Sequence, residues 1–377
     1  MLRRRPRRAF RPAGLRGVNL SPDLLVVGLG PAGSRAAEAG ASAGLDVLAI
    51  DRRAVAGEPV QCAEFVPLLL DQEVAGLGAV HRQMIERMCT AIERGTAEET
   101  TGFRGRMLDR ARFDAMLAAR AAEAGATLRF ATSLARIMPD GTTRLADGTE
   151  LRPRMVIGAD GPRSRVGAAI GSVNRELVEA RQIRVPLLQS HDATDIFLSA
   201  DYPGGYGWLF PCGATANLGL GVVPAARARL KPALEQLHER LVREGRVGEA
   251  VLGLTGGAIP VGGRLPATGW LGDVPVLLAG DAAGLAHPIS GAGIAAAVLS
   301  GTLAGEAGVA HLGDSAAALA GYEEDLADLY DATFARALAR RRALLARYDA
   351  GEAPGAALQR AGWIGFDEYW GEVHELS

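Results

Sequence analysis

Apolar residues in this chain follow two different rhythms. Near the start, "LLVVG" and "LDVLAI", which ends at Ile50, are short unbroken apolar runs. That is the pattern of strands buried on both faces of a parallel sheet. An alanine-rich stretch between them reads as a helix. Two further runs of the same kind occur in "RPRMVIGAD" at mid-chain and "VPVLLAGD" late. In "DRARFDAMLAARAAEAGA", Phe113, Met116 and Leu117 stand at i, i+3 and i+4, which predicts an amphipathic helix opening near Arg110. Residues 176–268 differ. "RQIRVPLLQ", "TDIFLSADY", "GYGWLFPCG" and "TANLGLGVV" are short strand candidates separated by Gly, Pro and Asp, and one helix at 227–246 interrupts them. Beyond residue 310 the pattern turns helical and ends in the aromatic stretch "AGWIGFDEYWGEV".

Composition narrows the function classes. The chain has 377 residues, 48% of them hydrophobic, enough for a large core or for two domains sharing an interface. A net charge of −2 gives no global reason to expect nucleic acid or an anionic membrane as partner. Cys62, Cys89 and Cys212 are too few and too scattered for a disulfide framework or a zinc site, the histidines form no metal spacing, and a reducing compartment fits. "MLRRRPRRAFRPAGLRG" has seven Arg and no apolar core of the kind a secretory signal needs. It reads as a disordered leader. No run reaches 18 apolar residues, so no transmembrane segment is expected. The expected location is the cytoplasm, and the oligomeric state is left open.

The first strand, Gly28, Gly30 and Gly33 in G-x-G-x-x-G, the helix holding Ala32, the second strand and Asp51 at its end follow in order. Gly28 suits a tight turn, Gly30 lets a pyrophosphate approach the backbone, and Gly33 lets helix and strand pack closely. The helix start offers free N–H groups to phosphates. Asp51, with Arg52 beside it, is placed to accept hydrogen bonds from an unphosphorylated ribose, so FAD or NAD is expected over NADP.

Two more stretches, Asp160-Gly161 mid-chain and "AGDAAGLAHPISGAGI" late, complete a three-part pattern. It resembles the p-hydroxybenzoate hydroxylase-like FAD-dependent oxidoreductases over about residues 22–310. The resemblance implies a Rossmann-type FAD-binding domain. Asp281 would take the ribityl chain, and the helix start at Gly291, Ala292, Gly293 and Ile294 would face the pyrimidine edge of the flavin. Arg110, Asp160 and Gly161 would line the middle of the cofactor. NAD(P)H would be the electron donor, bound without a second Rossmann domain. The implied architecture is α/β (α+β overall): a basic leader (1–20), an FAD-binding domain in two parts (21–175 and 269–320), an inserted antiparallel-sheet substrate domain (176–268) and a helical C-terminal segment (321–377).

"PGGYGWLFP" and "DRARFDAML" resemble the Y-x-W-x-F-P and D-R-x-x-F-D-x-x-L patterns of the geranylgeranyl reductase-like branch. Strand alternation puts Tyr206, Trp208 and Phe210 on one face, expected to line the substrate cavity with Cys62 and Glu64. Cys62 and His287 are the catalytic candidates. Three features point away from prenyl reduction. Ser290-Gly-Ala-Gly-Ile stands where the reductases have G-G-G-I, "HPISGAG" is similar to the hydroxylases' H-P-x-x-G-x-G, and Ala63 replaces the Gly after the Cys. The function expected is therefore an NAD(P)H-using monooxygenase acting on an aromatic or hydrophobic substrate through a flavin hydroperoxide. A tryptophan of a partner polypeptide, on the way to a tryptophylquinone, is the narrower expectation, on resemblance to the monooxygenases of that cofactor's biogenesis. The alternative is a reductase saturating prenyl double bonds. A non-catalytic flavin-binding module is the third reading.

Overall fold

The fold is built around a run of strands that meet at one edge. The computed structural model describes residues 20–371. The arginine-rich start, expected to be disordered, lies outside the described residues except for its last position. The first stretch runs β1 (Leu24–Val27), α1 (Pro31–Ser42), β2 (Val47–Ile50), β3 (Phe65–Pro67), α2 (Leu70–Glu73), β4 (His81–Ile92), β5 (Glu98–Leu108), α3 (Arg110–Glu123) and β6 (Thr127–Arg129). Then come β7 (Leu134–Ile137), β8 (Thr143–Leu145), β9 (Glu150–Leu151), β10 (Met155–Gly158), α4 (Arg165–Ala169), β11 (Leu177–Pro186), β12 (Ala193–Leu198), β13 (Gly207–Cys212), β14 (Thr215–Val222), α5 (Leu230–Arg243) and β15 (Gly253–Pro260). The last stretch is β16 (Thr268–Leu271), β17 (Val274–Leu278), α6 (Ile294–Leu312), α7 (Ala318–Asp349), α8 (Ala356–Ala361) and α9 (Asp367–Trp370).

The first sheet has the order β16-β17-β10-β1-β2-β6, parallel except for β16. β1, β2 and β10 are buried at every position, as their unbroken apolar runs predict. Their carboxyl ends, with that of β17, bring Gly28, Asp51, Asp160 and Asp281 to one edge. That is the edge at which open α/β sheets bind ligands.

The second sheet has the order β15-β11-β14-β13-β12-β4-β5-β3. It is larger than the expected 176–268 insert. β3, β4 and β5, from the stretch assigned to the first domain, complete it. β4 joins through a parallel pairing with β12, Cys89 opposite Asp195. A parallel pairing needs a long crossover, and no local pattern in residues 81–92 announces a partner a hundred positions away. One face of this sheet is closed by α5. Leu230, Leu234, Leu237 and Leu241, one stripe at helical spacing, pack on Val185, Leu218 and Leu220.

Two helix contacts set the site's dimensions. α6 crosses α1 backbone against backbone: a Cβ on Gly301 would lie 2.2 Å from the Ala32 carbonyl oxygen, and one on Gly305 2.7 Å from that of Ala36. A side chain at either position would push the helices apart, so these glycines fix the two helix N-termini relative to each other. α6 is the one helix among the described residues long and apolar enough to cross a membrane; here it lies against α1. α7 spans both sheets. Near its start the Tyr322 hydroxyl donates to the Leu278 carbonyl of β17 at 2.7 Å, and near its end Tyr348 donates to Ala200 beyond β12 at 3.1 Å.

Candidate active site

Both helix starts at the ligand edge lack side-chain caps. Gly30 is the N-cap of α1, with Pro31 just inside, and Gly293 is the N-cap of α6; neither supplies a capping side chain. By contrast Asp109 caps α3 and Ser164 caps α4. The amides of the first turns of α1 and α6 are therefore left for another acceptor.

The three loop glycines separate by cause. Gly28 has φ +101°, and a Cβ there would meet the Ala159 carbonyl oxygen at 2.2 Å; a Cβ on Gly33 would lie 1.8 Å from the Gly28 carbonyl oxygen. Protein packing alone demands both. Around Gly30 nothing lies within 4 Å of the added carbon. The bare backbone there fits a pyrophosphate from outside the chain. Asp51 closes the loop: Oδ2 accepts from the Leu29 N–H at 2.8 Å and Oδ1 from the Arg53 N–H at 2.7 Å. Each oxygen keeps a lone pair for a ribose hydroxyl. Arg52 is exposed and makes no hydrogen bond to the described residues.

The late motif fits the other end of the cofactor. The Asp281 carboxylate accepts no hydrogen bond from the described residues, and burial pushes its pKa up to about 6. It is an anion lacking a protein partner, 3.2 Å from where a Gly293 side chain would begin. A polyol such as a ribityl chain supplies the missing donors. Gly291 takes φ +67° in a turn that closes on itself: its N–H donates to His287 O at 2.8 Å, and the His287 N–H to Ala292 O at 2.9 Å. Ile294 then opens α6.

Asp160 departs from its expected role. Its Oδ1 accepts from the Ser164 hydroxyl at 2.5 Å and its Oδ2 from the Arg165 N–H at 2.7 Å. The carboxylate shapes the start of α4 instead of reaching outward. Gly161, at φ +85° with open space around it, is the residue whose backbone faces out. Arg110 opens α3 and pairs with the buried Asp114 at 3.0 Å. It also lies beside the Cys62 thiol and near Asp281, so it sits between the cofactor edge and the substrate side.

The side expected to take the substrate is built from the second sheet. Tyr206, Trp208 and Phe210 share the face opposite α5, as alternation predicts, while Leu209 between them packs toward α5. Tyr206 stands 5.7 Å from Trp208 and 4.7 Å from Trp363, ring centre to ring centre, and Phe65 6.0 Å from Phe210. Trp208 lies over Gly219, its partner on β14, where any side chain would collide with the indole at 2.3 Å. The Trp208 indole N–H donates to Gln182 Oε1 at 3.0 Å, and Gln182 Nε2 donates to the Cys62 carbonyl at 3.0 Å. The Tyr206 hydroxyl donates to the Ser290 carbonyl at 2.6 Å. The aromatic row, the Cys62 loop and the turn before α6 thus form one connected body.

Glu64 holds that loop in place. It has φ +72° and is buried. Its carboxylate pairs with Arg184, accepts from Asn217 Nδ2 at 2.8 Å and accepts from the Arg110 N–H at 3.4 Å. Glu64 lines no substrate surface with its carboxylate; it pins a left-handed turn. His287 is likewise internal. Its Nδ1 faces the N–H groups of Ile289 at 3.3 Å and Ser290 at 3.2 Å, and burial pulls its pKa down to about 4. A neutral ring accepting hydrogen bonds at Nδ1 holds the turn and is not the imidazolium that would serve as an acid near neutrality. Gln182, Asn217 and Trp363 belong to the site without any sequence motif. Polar Gln182 and Asn217 inside otherwise apolar strands are the signal that points to them.

Comparison with known proteins agrees with this geometry and corrects the chemistry. Residues 22–196 match the FAD binding domain family, and residues 178–258 match the geranylgeranyl reductase catalytic domain. Digeranylgeranylglycerophospholipid reductase 2 of Methanopyrus kandleri is 35% identical over 84% of this chain and 85% of its own length. The digeranylgeranylglycerophospholipid reductase of Methanocella arvoryzae is 35% identical over 81% of this chain and 82% of its own. A geranylgeranyl bacteriochlorophyll reductase-like structure from Thermoplasma acidophilum superposes with a TM-score of 0.75 at 27% identity, covering 86% of this chain and 88% of that one. P. aeruginosa PqsL, in complex with 2-aminobenzoylacetate, superposes with a TM-score of 0.65 at 20% identity over 86% of this chain and 97% of its own, a likeness of fold alone.

These relatives overturn the expected aromatic hydroxylation, and the tryptophan of a partner polypeptide with it. The misleading residues have local explanations. The Ser290 hydroxyl lies 3.2 Å from His287 Nδ1 and accepts from the Ala292 N–H at 3.4 Å, so it stabilises its own turn. Left-handed backbone falls on Glu64 and not on Ala63, so a side chain at 63 causes no strain. On its two matched domains and its extensive identity to these reductases, the chain belongs to the geranylgeranyl reductase family of FAD-dependent oxidoreductases.

Proposed function

We propose that this protein saturates carbon–carbon double bonds of an isoprenoid chain of the geranylgeranyl class, with a nicotinamide nucleotide, NADH or NADPH, as the source of electrons. One observation carries the reading. The aromatic row beside the flavin turn has its polar handles already engaged: the Trp208 N–H on Gln182 and the Tyr206 O–H on Ser290. The row is apolar and packed, with Trp208 and Phe210 each 7% exposed, so the face it turns toward the flavin turn suits a hydrocarbon chain and no polar group. The names of the relatives, which specify digeranylgeranyl glycerophospholipid, support the same class.

Saturation adds a hydride to one alkene carbon and a proton to the other. Bound FAD, once reduced by the nicotinamide nucleotide, supplies the hydride. The chain supplies position and the proton. Gly30, Asp51, Asp281 and the α6 start would hold the cofactor. Tyr206, Trp208 and Phe210 hold the alkene against it and exclude water. The proton comes from the Cys62 thiol. The Glu64 N–H approaches the Cys62 sulfur at 3.2 Å and Gln182 anchors its carbonyl, while Arg110 and Tyr206 flank it. Solvent returns the proton after each cycle.

The test is product mass. Holoenzyme with NADPH or dithionite and a geranylgeranyl glycerophospholipid should yield lipid carrying two extra hydrogens for each double bond reduced. Cys62→Ala should still bind FAD but slow product formation by about 100-fold or more. Unchanged lipid would overturn the reading. Normal turnover in Cys62→Ala would remove only Cys62 from it.

A further inference from the structure

Asn174 lies on the passage from α4 to β11, outside every motif of the cofactor edge. Its Nδ2 donates to the Asp281 carbonyl oxygen at 2.8 Å and to the Pro162 carbonyl oxygen at 3.1 Å. The first carbonyl belongs to the residue whose carboxylate is left for the ribityl chain. The second directly follows Gly161, whose backbone faces out. Both neighbours are acceptors, so the side chain must present its NH2 group, and both of its hydrogens are used. Among the described residues no other side chain bonds to both loops.

The surroundings leave this task to polar bonds. The passage out of the first sheet, residues 170–176, lies beside the passage back into it, residues 261–267. The Ser172 hydroxyl donates across to the Pro266 carbonyl at 2.7 Å, and the Val261 N–H to the Glu176 carbonyl at 3.0 Å. Between the two passages a cavity of about 360 Å³ is open, lined by Val173, Asn174, Glu176, Gly262, Leu265 and Pro266 among others. Close packing therefore does not fix their separation as it would in a filled core. The turn that carries Asp281 meets both passages. The Leu265 N–H donates to the Ala283 carbonyl at 3.0 Å. Gly284, at φ +73°, sits where a Cβ would lie 2.3 Å from the Gly263 carbonyl oxygen and 3.2 Å from Asn174 Oδ1. Glycine at that position lets Asn174 come within reach of Asp281.

The two anchored loops serve one part of the cofactor. The adenosine and pyrophosphate part fits Gly30 and Asp51, and Asn174 bonds to neither. We infer that Asn174 is a positioning residue for the flavin half of FAD: it sets the separation between the Gly161 loop and the Asp281 turn, so that the Asp281 carboxylate meets the ribityl hydroxyls. This role needs only FAD binding and is independent of the substrate.

Two ligands compared on one protein test it without turnover. The full chain, stripped of flavin, is titrated with FAD and, separately, with ADP, which reproduces only the adenosine and pyrophosphate part. Asn174→Leu keeps the bulk and removes both donors. It should weaken FAD by at least about tenfold and leave ADP unchanged. Asn174→Asp, also similar in size, puts an acceptor where both carbonyls need a donor and should show the same selective loss. It replaces Asn174→Leu if that variant does not fold by circular dichroism. A general loosening of the fold would weaken FAD and ADP alike, and such equal loss would overturn the assignment. Unchanged FAD affinity in either folded variant would overturn it as well.

Discussion

The Tyr206 hydroxyl donates to the Ser290 carbonyl at 2.6 Å, joining the substrate sheet to the turn that opens α6. Two elements 84 positions apart are thereby held at one separation, and on the proposed function that separation would set where a substrate lies relative to the flavin edge. Tyr206→Phe keeps the ring and removes the bond. It should lower stability by about 0.5–1.5 kcal/mol, visible in the thermal midpoint. It should reduce kcat more than it raises KM, since the wall remains apolar but no longer sits at a fixed distance. An effect on KM alone would contradict this role.

The two glycines of the first loop should respond in opposite ways. Gly33→Ala places a carbon against the Gly28 carbonyl, 1.8 Å away, and should destabilise the fold by about 1–3 kcal/mol. Gly30→Val meets nothing within 4 Å. It should fold normally by circular dichroism yet bind FAD at least about tenfold more weakly, about 1.4 kcal/mol. A folded Gly30→Val protein with unchanged FAD affinity would contradict the pyrophosphate site.

Asp281 ties the late motif to pH. Burial raises its carboxyl from the usual 3.8 to about 6. A carboxyl raised on folding contributes stability below the unfolded pKa and loses that contribution as pH rises through about 6. Flavin-stripped Asp281→Asn should therefore exceed stripped wild type in stability by about 1–3 kcal/mol at pH 7–8, with the gap closing near pH 4. Its affinity for FAD should fall by about tenfold. Denaturant midpoints across pH and a flavin titration measure both. A pH-independent gap would refute the assignment.

His287 has the opposite sign. Burial lowers it from 6.5 to about 4. Its contribution is present above pH 6.5 and is lost as pH falls from 6.5 toward 4. The stability of wild type minus that of His287→Gln should shrink over that window and be flat above pH 7. The pH profile of turnover should show no limb near 6.5 that disappears in His287→Gln. Such a limb would make His287 a proton donor after all.

The first sheet and the cofactor edge are legible in sequence because each signal is local. An unbroken apolar run makes a buried strand, and Gly28 and Gly33 are forced by backbone contacts within a few residues of the loop or across one strand. The alternation of Tyr206, Trp208 and Phe210 is equally local. The rest depends on contacts far apart along the chain. β4 pairs with β12, Glu64 meets Arg184 and Asn217, and Arg341 reaches Gly204. No spacing rule reaches that far. Asp160 misled because an acid before a helix both caps and binds ligands, and only geometry tells which. Ser290 and Ala63 misled because motif departures were read as chemistry, when the structure shows a self-bonded turn at 290 and a left-handed backbone displaced to Glu64.

The central claim is that reduced flavin in this protein hands its hydride to a prenyl double bond. The direct measurement is anaerobic. Holoenzyme is reduced with one equivalent of dithionite, excess is removed, and geranylgeranyl glycerophospholipid or geranylgeranyl diphosphate is added while flavin absorbance is followed without oxygen. The account predicts that the yellow oxidised spectrum returns with one double bond saturated per flavin, and that Trp208→Ala, with its FAD still bound, slows the return by about tenfold or more. Flavin that stays reduced until oxygen is admitted, with the lipid unchanged, would contradict it.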